Sequence, residues 1–420
     1  MKPKIYKEYM NLSFGTSYVL KMLHTYGYEA YVVGGACRDY FLGKEPKDYD
    51  ICSNATPEQM QEIALKENIR LIETGLQHGT VTFHIGDENI EVTTYRTDGE
   101  YENHRKPKKV EFVQDVVKDL SRRDFTFNAL LYDPNVGFID YFNGVEDLKY
   151  QVVRCIGNPE ERFREDALRI MRAIRFASKL NFIIEENTFK AIRKCSHLLK
   201  HISTERIQME LNYILSCGYN GVINIMMHYS LFSVEVFGCH FFNYLNHNIR
   251  HQKPFSITDI SVNLALFFFY LGENNIEKLL RTLKYDNKTI KEVIGISKAY
   301  RDFVHKYLIW DNEIDYLKTV RFLKKDYGDV VVKKLWTFIE VVRGLPSYYL
   351  QGLKIIDKEN LCCSLKELAI SGNDLLALGV QGKDIKKLLN YSLDQVILEE
   401  VENTKEELLR TMDYSIIGGK

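Results

Sequence analysis

The feature that most restricts this chain is a change of hydrophobic period near Pro159. Before it, apolar and polar residues alternate in short runs. Beyond it, apolar residues recur at three- and four-residue spacing and strand-type alternation nearly disappears. The early runs predict strands at Ala30–Val33, Asp48–Cys52, Thr80–Ile85, Asn89–Tyr95, Val110–Phe112 and the pair Ala129–Tyr132 with Phe138–Tyr141. That last pair brackets Asp133-Pro134-Asn135-Val136-Gly137, a hairpin turn. The chain therefore reads as α+β, an α/β head followed by an all-helical remainder. Breaks inside the helical part are weakly marked, and Gly218–Asn220, Lys253-Pro254 and Gly344-Leu345-Pro346 carry the strongest signals.

Composition narrows the classes. A chain of 420 residues, 45% of them hydrophobic, can bury a large core over several domains. A formal net charge of -1 gives no global nucleic-acid signal, so any RNA contact must come from local patches. The cysteines at 37, 52, 155, 195, 217, 239, 362 and 363 form no C-x-x-C pair and have no matched histidine spacing. Structural zinc and a disulfide framework are disfavoured, and a reducing cytoplasm fits. Met1 to Tyr9 is charged and polar, unlike a signal peptide, and the most apolar run, Leu264–Leu271, is too short to span a bilayer.

The chemistry concentrates in Val33-Gly34-Gly35-Ala36-Cys37-Arg38-Asp39, followed by Asp48-Tyr49-Asp50-Ile51. The first string reads strand, glycine turn, helix. Gly34 and Gly35 let the backbone approach a ligand, and the amides at the helix start face an anion. In the second, strand alternation sends Asp48 and Asp50 out of the same face, where a divalent cation is the usual way to keep both ionised. A Gly-Gly alone is commonly a turn, and an Asp-x-Asp alone a solvated strand edge. Their order and spacing together point to metal-assisted chemistry on a nucleoside triphosphate.

Further strings add to this. Ile90-Glu91-Val92-Thr93-Thr94 alternates as a strand with Glu91 away from its apolar neighbours, and a neighbouring strand could deliver it to the same metal cluster. Ser121-Arg122-Arg123-Asp124-Phe125-Thr126-Phe127-Asn128 starts with an N-cap signal at Ser121. Its arginines can grip triphosphate oxygens and Asp124 can accept from ribose hydroxyls, or the pair can simply cap a helix. Asn158-Pro159 opens a helix running through Glu165-Asp166-Ala167-Leu168-Arg169 to Phe176. Asp166, Arg169, Arg172 and Arg175 recur every three residues along it as a polar stripe, which on an ordinary helix would pair with Glu161 and Glu165. Arg96 to Lys109, charged and bearing Gly99 and Pro107, reads as a mobile loop whose basic end could touch RNA phosphate.

Together these strings resemble the polymerase β-type nucleotidyltransferase superfamily, and within it the class II tRNA nucleotidyltransferase (CCA-adding) and poly(A) polymerase family. Cys37 stands where that branch commonly has Val. The resemblance is dense over the first half of the chain and recurs near the end; residues from about 215 to 365 are recognised only as helical. It implies a catalytic head (1–148), a helical neck with a templating helix (149–216), a body (217–335) and a tRNA-binding tail (336–420). It implies that Asp48 and Asp50 hold Mg2+ in a two-metal site, with Glu91 as third carboxylate. It assigns nucleotide contacts to Gly34, Gly35, Arg38, Arg122, Arg123, Asp124, Asn128, Asp166, Arg169, Arg172 and Arg175. The substrates implied are CTP, ATP and the acceptor end and upper half of tRNA; a membrane is not among the partners, and a homodimer is left open.

In the family's E-D-x-x-R helix the aspartate and arginine pair with the incoming base. The base edges agree with that role. Cytosine and adenine present an amino donor beside a ring-nitrogen acceptor, whereas guanine and uracil present the reverse. Asp166 accepting and Arg169 donating would select C and A. The Arg96–Lys109 segment resembles the loop that CC-only enzymes lack, Asp140–Leu148 the head–neck hinge, and Ser203–Leu211 a segment supporting the templating helix. In the tail, Ser371–Ile385 reads as helix–turn–helix with Gly379 as a C-cap; Gln381 and Lys386 stand where the family often has Pro and Gly. No His-Asp phosphohydrolase dyad occurs in the helical half. The readings left open are an A-adding partner of a split CC/A system, a poly(A) polymerase and a non-catalytic RNA-binding protein.

Overall fold

The computed structural model describes residues 2–76, 79–99, 101–102, 106–107, 110–228, 256–272, 275–305, 316–344 and 348–417. The chain divides into two compact units, Met1–Phe242 and Asn243–Lys420. The first is built on an eight-stranded mixed sheet. Its strands are β1 (Lys4–Tyr6), β2 (Ala30–Val33), β3 (Asp50–Ser53), β4 (Arg70–Gly75), β5 (Thr80–Ile85), β6 (Glu88–Thr94) and, after four short side strands, β11 (Leu131–Asp133) and β12 (Gly137–Asp140). The order across the sheet is β1-β12-β11-β2-β3-β6-β5-β4. Val33, Cys52, Leu131 and Ile139 from these strands close over Tyr95, Val116 and Leu120 in one core.

Two registers place the chemistry. β2 and β3 run antiparallel with Val33 opposite Asp50, while β3 and β6 run parallel with Ile51 opposite Val92. One end of these central strands therefore carries the Gly34 turn, Asp50 and Glu91 side by side. β6 alternates as read, with Glu91 exposed between buried Ile90 and Val92. Strands β1 and β4 were not legible. β1 has three residues at the sheet edge, and in β4 Leu71 and Ile72 are adjacent rather than alternating.

Four local expectations are corrected. Asp48 precedes β3, which starts at Asp50, so strand alternation does not set its direction, although both residues line one cavity. Ser121 does not start a helix: it ends α4 (Val116–Ser121), its hydroxyl donating to the Val117 carbonyl, and the N-cap is Asp115. Arg122 to Asn128 then leave the helix through a 3₁₀ turn at Thr126–Asn128. The templating segment is not one helix. α6 (Pro159–Glu165) starts as expected on Asn158 and Pro159, but Asp166 adopts an extended backbone (φ -132, ψ 104) before α7 (Leu168–Leu180) begins. Oδ1 of Asp166 accepts from the Leu168 amide, so the side chain stabilises the break that its backbone makes. Finally, the segment read as a mobile loop contains paired strands, β7 (Arg96–Asp98) with β10 (Val110–Phe112) and β8 (Tyr101–Glu102) with β9 (Lys106–Pro107). Its residues 100, 103–105 and 108–109 lie outside the described residues.

The second unit is helical throughout its described length, as the period change predicts. Helix Ile260–Leu271 is buried almost all round, and a separate cluster gathers Leu375, Leu388, Leu393, Ile397 and Leu408. Buried Arg321 donates to the carbonyls of Cys362, Val396 and Ile397, satisfying backbone acceptors there. The tail reading holds locally: helices Gly372–Ala377 and Lys383–Leu398 flank Gly379, whose φ of +85 needs glycine. Among the described residues no helix is long and apolar enough to cross a membrane, and Cys37, Cys52, Cys155, Cys195, Cys217, Cys362 and Cys363 are free thiols. Cys239 and Lys253-Pro254 lie outside the described residues.

Candidate active site

Gly34 follows β2 with φ +78 and ψ -115, a conformation side-chain-bearing residues avoid, and caps α2 (Gly35–Phe41). An added Cβ at Gly34 would lie 3.6 Å from Nη1 of Arg123 and 3.5 Å from the Asn128 carbonyl, so the glycine also brings the backbone close to that guanidinium. Around this turn opens a cavity of about 360 Å³. The head contributes Gly34, Gly35, Arg38, Asp50, Arg123, Asp124 and Asn128 to its wall; α7 and the break before it contribute Asp166, Arg169, Arg172 and Phe176. An adjacent cavity of about 510 Å³ is lined by Asp48, Asp50, Glu88 and Glu91, with Asp50 common to both. The residues predicted to meet nucleotide and metal are thus brought together. Arg122 and Arg175 do not line the first cavity.

The arginines are held by a ladder of acids. Buried Asp119 takes Nη2 of Arg122 at 2.7 Å and Nη2 of Arg123 at 3.2 Å. Burial alone would raise the Asp119 pKa, but Arg123 and Arg122 outweigh it and hold the carboxyl below its ordinary value. Nε of Arg123 is buried with no hydrogen-bond partner among the described residues. Nε of Arg122 also reaches the Arg96 carbonyl, which ties this segment to the start of β7. Asp124, buried, accepts from Nε and Nη2 of Arg172 at 2.8 and 2.5 Å and from Asn128 at 2.9 Å. Asn128 in turn accepts from Nη1 of Arg38 at 3.0 Å. The carboxylate expected to meet ribose is therefore already engaged by Arg172, and burial is again outweighed so that its pKa is lowered.

Asp166 and Arg169 are equally fixed. Nη1 of Arg169 donates to Glu165 at 2.6 Å and Nη2 to the Arg122 carbonyl at 2.7 Å, linking α7 to the head segment. Oδ2 of Asp166 accepts from Arg206 of α9 (Thr204–Leu215) at 3.0 Å. Ser203–Leu211, read only as support, thus reaches the site through Arg206. Asp119 and Phe176 were not singled out as site residues. Asp119 had a signal, an acid three and four residues before paired arginines. Phe176 reads as core and is almost fully buried, yet Arg38, Arg172 and Arg175 gather 5.4, 5.5 and 4.8 Å from its ring centroid.

Asp48, Asp50 and Glu91 are exposed carboxylates around one cavity. Enclosure by the cavity wall raises the Asp50 pKa, Arg123 pulls it down and Asp48 pushes it up. Hard carboxylate oxygens facing one another suit Mg2+, and the repulsion between Asp48 and Asp50 is what a cation would relieve. Among the described residues, no three His, Cys, Asp or Glu side chains are gathered tightly enough to hold a metal by themselves. The donor set fits a cation that keeps water or substrate oxygens in its shell.

Known proteins match most of the length of this chain. Residues 30–154 match a poly(A) polymerase head-domain model, 181–234 an RNA- and SrmB-binding-site model of polymerase A, and 255–412 a model of tRNA nucleotidyltransferase domain 2. The CCA-adding enzyme of Ligilactobacillus salivarius is 35% identical over 93% of this chain and 94% of its own, and that of Staphylococcus haemolyticus 32% identical over 95% and 97%. The crystal structure of the Bacillus stearothermophilus CCA-adding enzyme in complex with CTP superposes with a TM-score of 0.77 at 30% identity, covering 96% of this chain and 98% of that one. A relative 35% identical along nearly its whole length, a fold shared at that level and three consecutive domain matches make this chain a member of the CCA-adding enzymes, a family of tRNA nucleotidyltransferases.

Proposed function

We propose that this protein adds C, C and A to the 3′ end of tRNA, taking CTP and ATP as substrates without a nucleic-acid template, and that Asp48, Asp50 and Glu91 serve the transfer. The observation that carries the reading is the joining of two cavities at Asp50. One is acidic and fits a cation; the other is lined by arginines and ends in Asp166 and Arg169. Residues 1–148 act as catalytic head, 149–216 as templating neck, and 217–335 and 336–420 as body and tRNA-gripping tail.

Asp48 and Asp50, with Glu91 across the same cavity, would hold the Mg2+ pair, which when bound activates the attacking 3′-hydroxyl and stabilises the leaving pyrophosphate. Arg123, whose Nη1 lies beside the Gly34 turn, and Arg38 offer charge to the triphosphate. Asp166, held by Arg206 and the Leu168 amide, presents an acceptor to the base edge, and Arg169 presents a fixed donor. Arg172 fixes Asp124 and supports the cavity floor rather than leaving that carboxylate free. No protein nucleophile is required.

The test is incubation of tRNA lacking its CCA end, and of tRNA ending in CC, with each NTP singly and with CTP plus ATP, in Mg2+. Two C residues from CTP, then one A, is the expected result. A alone on a CC end would place the protein in a split system, long A tails would make it a poly(A) polymerase, and no incorporation would leave an RNA-binding protein.

A further inference from the structure

Arg38 and Phe176 line a second cavity besides that of the nucleotide, of about 550 Å³, completed by Arg175, Lys179, Tyr213 and Cys217. Neither Asp166 nor Arg169 belongs to its wall. Arg175 sits 5.4 Å from the Tyr213 ring centroid and pairs at 3.2 Å with Glu210, a buried acid. Lys179 is exposed and forms no ion pair among the described residues. Burial and then the Arg38 charge lower the Lys179 pKa, with Asp39 opposing and Arg175 and Lys44 adding. Burial lowers Arg175 too, against the pull of Glu210 and with Arg172 adding. The cavity is short of negative charge.

Tyr213 decides what kind of anion fits. Its side chain is 51% exposed, although it lies on a helix whose other face is packed. An isolated phosphate gains nothing from an open aromatic ring. A nucleic-acid strand does, because bases stack on such rings while cations follow the backbone. We propose that this cavity is a subsite for the single-stranded acceptor end of the RNA, with a backbone phosphate between Lys179 and Arg175 and a base against Tyr213. The proposal rests on the tRNA reading above and specifies where part of that RNA lies. Through Arg38 and Phe176, the strand would be seated beside the incoming nucleotide without competing for its base-reading pair.

The experiment uses the full chain and tRNA lacking CCA, with binding followed by fluorescence anisotropy over a salt series and KM values from CTP incorporation. Lys179→Glu is expected to raise the tRNA KM by about tenfold and to flatten the log–log salt slope by roughly 0.7 or more, one phosphate contact on a single strand. The CTP KM stays within about twofold, and Lys179→Arg restores tRNA binding. Tyr213→Ala is expected to weaken tRNA binding by about tenfold without changing the slope, and Tyr213→Trp to retain it. Unchanged tRNA affinity in both Lys179→Glu and Tyr213→Ala would overturn the proposal. So would a raised CTP KM with tRNA affinity intact, which would give the cavity to the triphosphate. Failure of the wild-type protein to extend tRNA would count against CCA addition alone, since the anisotropy readings need no chemistry.

Discussion

The carboxylates of the acidic cavity and those of the arginine-lined cavity share one chemistry and have opposite surroundings. Asp48, Asp50 and Glu91 are exposed, and none of them has a hydrogen bond or ion pair among the described residues. Asp119, Asp124 and Asp166 are each taken by an arginine at 3.2 Å or closer. Asp119 and Asp124 lose hydration on burial and are kept ionised by their partners, and breaking such a pair strands a charge. In the first kind Asp50 is partly enclosed and repelled by Asp48, with no ion-pair partner among the described residues, the setting that a cation would relieve. The carboxylates proposed above to hold a metal are thus left open, while the side chains proposed to read the base are fixed by protein partners.

The largest effect should come from the open side. Asp50→Asn is expected to lower kcat for CTP incorporation on the order of a thousandfold, the scale of the several kcal/mol a catalytic metal supplies. The wild-type Tm should rise with Mg2+ while that of the variant stays flat. Because Asp50 has no protein partner to lose, its variant should fold normally without Mg2+. A clear loss of stability in the variant would erase the contrast between open and engaged acids.

On the rigid side, Arg169→Ala should reduce the preference of CTP over UTP by about ten- to a hundredfold, as expected for a base-edge contact of roughly 1–3 kcal/mol. Arg169 also bridges Glu165 to the Arg122 carbonyl, so Tm will fall as well. The discriminating readout is therefore the ratio of kcat/KM values among the four NTPs. Unchanged selectivity with lowered stability would reduce Arg169 to a strut.

Much of this contrast was legible in the sequence, for unequal reasons. Strand alternation read Asp50 and Glu91 onto strands, the family resemblance set those strands side by side, and the register of β3 with β6 bears that out. Helical period placed Asp166 and Arg169 together but hid the break between them, because a polar stripe at three-residue spacing looks the same on one helix or two. Ser121 misled because serine caps helices at one end and bonds back to the i-4 carbonyl at the other. The partners of the engaged acids were the least legible. Arg206 lies 40 residues from Asp166 and Arg172 lies 48 from Asp124, and no local pattern joins residues so far apart.

Asp124→Asn tests the cost of engagement itself. Removing the charge facing Arg172 should lower the unfolding free energy by about 3 kcal/mol at pH 7, measured in urea. The folded-state pKa of Asp124 lies below its ordinary 3.8, so its contribution is complete above that pH and is lost as pH falls through the folded value. The gap between wild type and variant should stay constant from neutral pH down to about 5 and narrow only below about 4. A gap that closed near pH 6 would mean that some other group supplies the stabilisation.

The smallest effect separates holding from reading. Arg206→Ala removes the 3.0 Å partner of Oδ2 on Asp166 but leaves Oδ1 on the Leu168 amide. Asp166 should keep its place and lose only its fixed orientation, so selectivity for C and A over G and U should fall by about fivefold, roughly 1 kcal/mol for a part-exposed pair. CTP KM should rise more than kcat falls, since a loosened acceptor weakens ground-state and transition-state binding alike. Arg206→Lys should recover part of the loss by restoring charge without the fork geometry. If Arg206→Ala instead loses as much selectivity as Arg169→Ala, then discrimination resides in the rigidity of the network. The Asp166–Arg169 pair would then be its outermost members rather than its source.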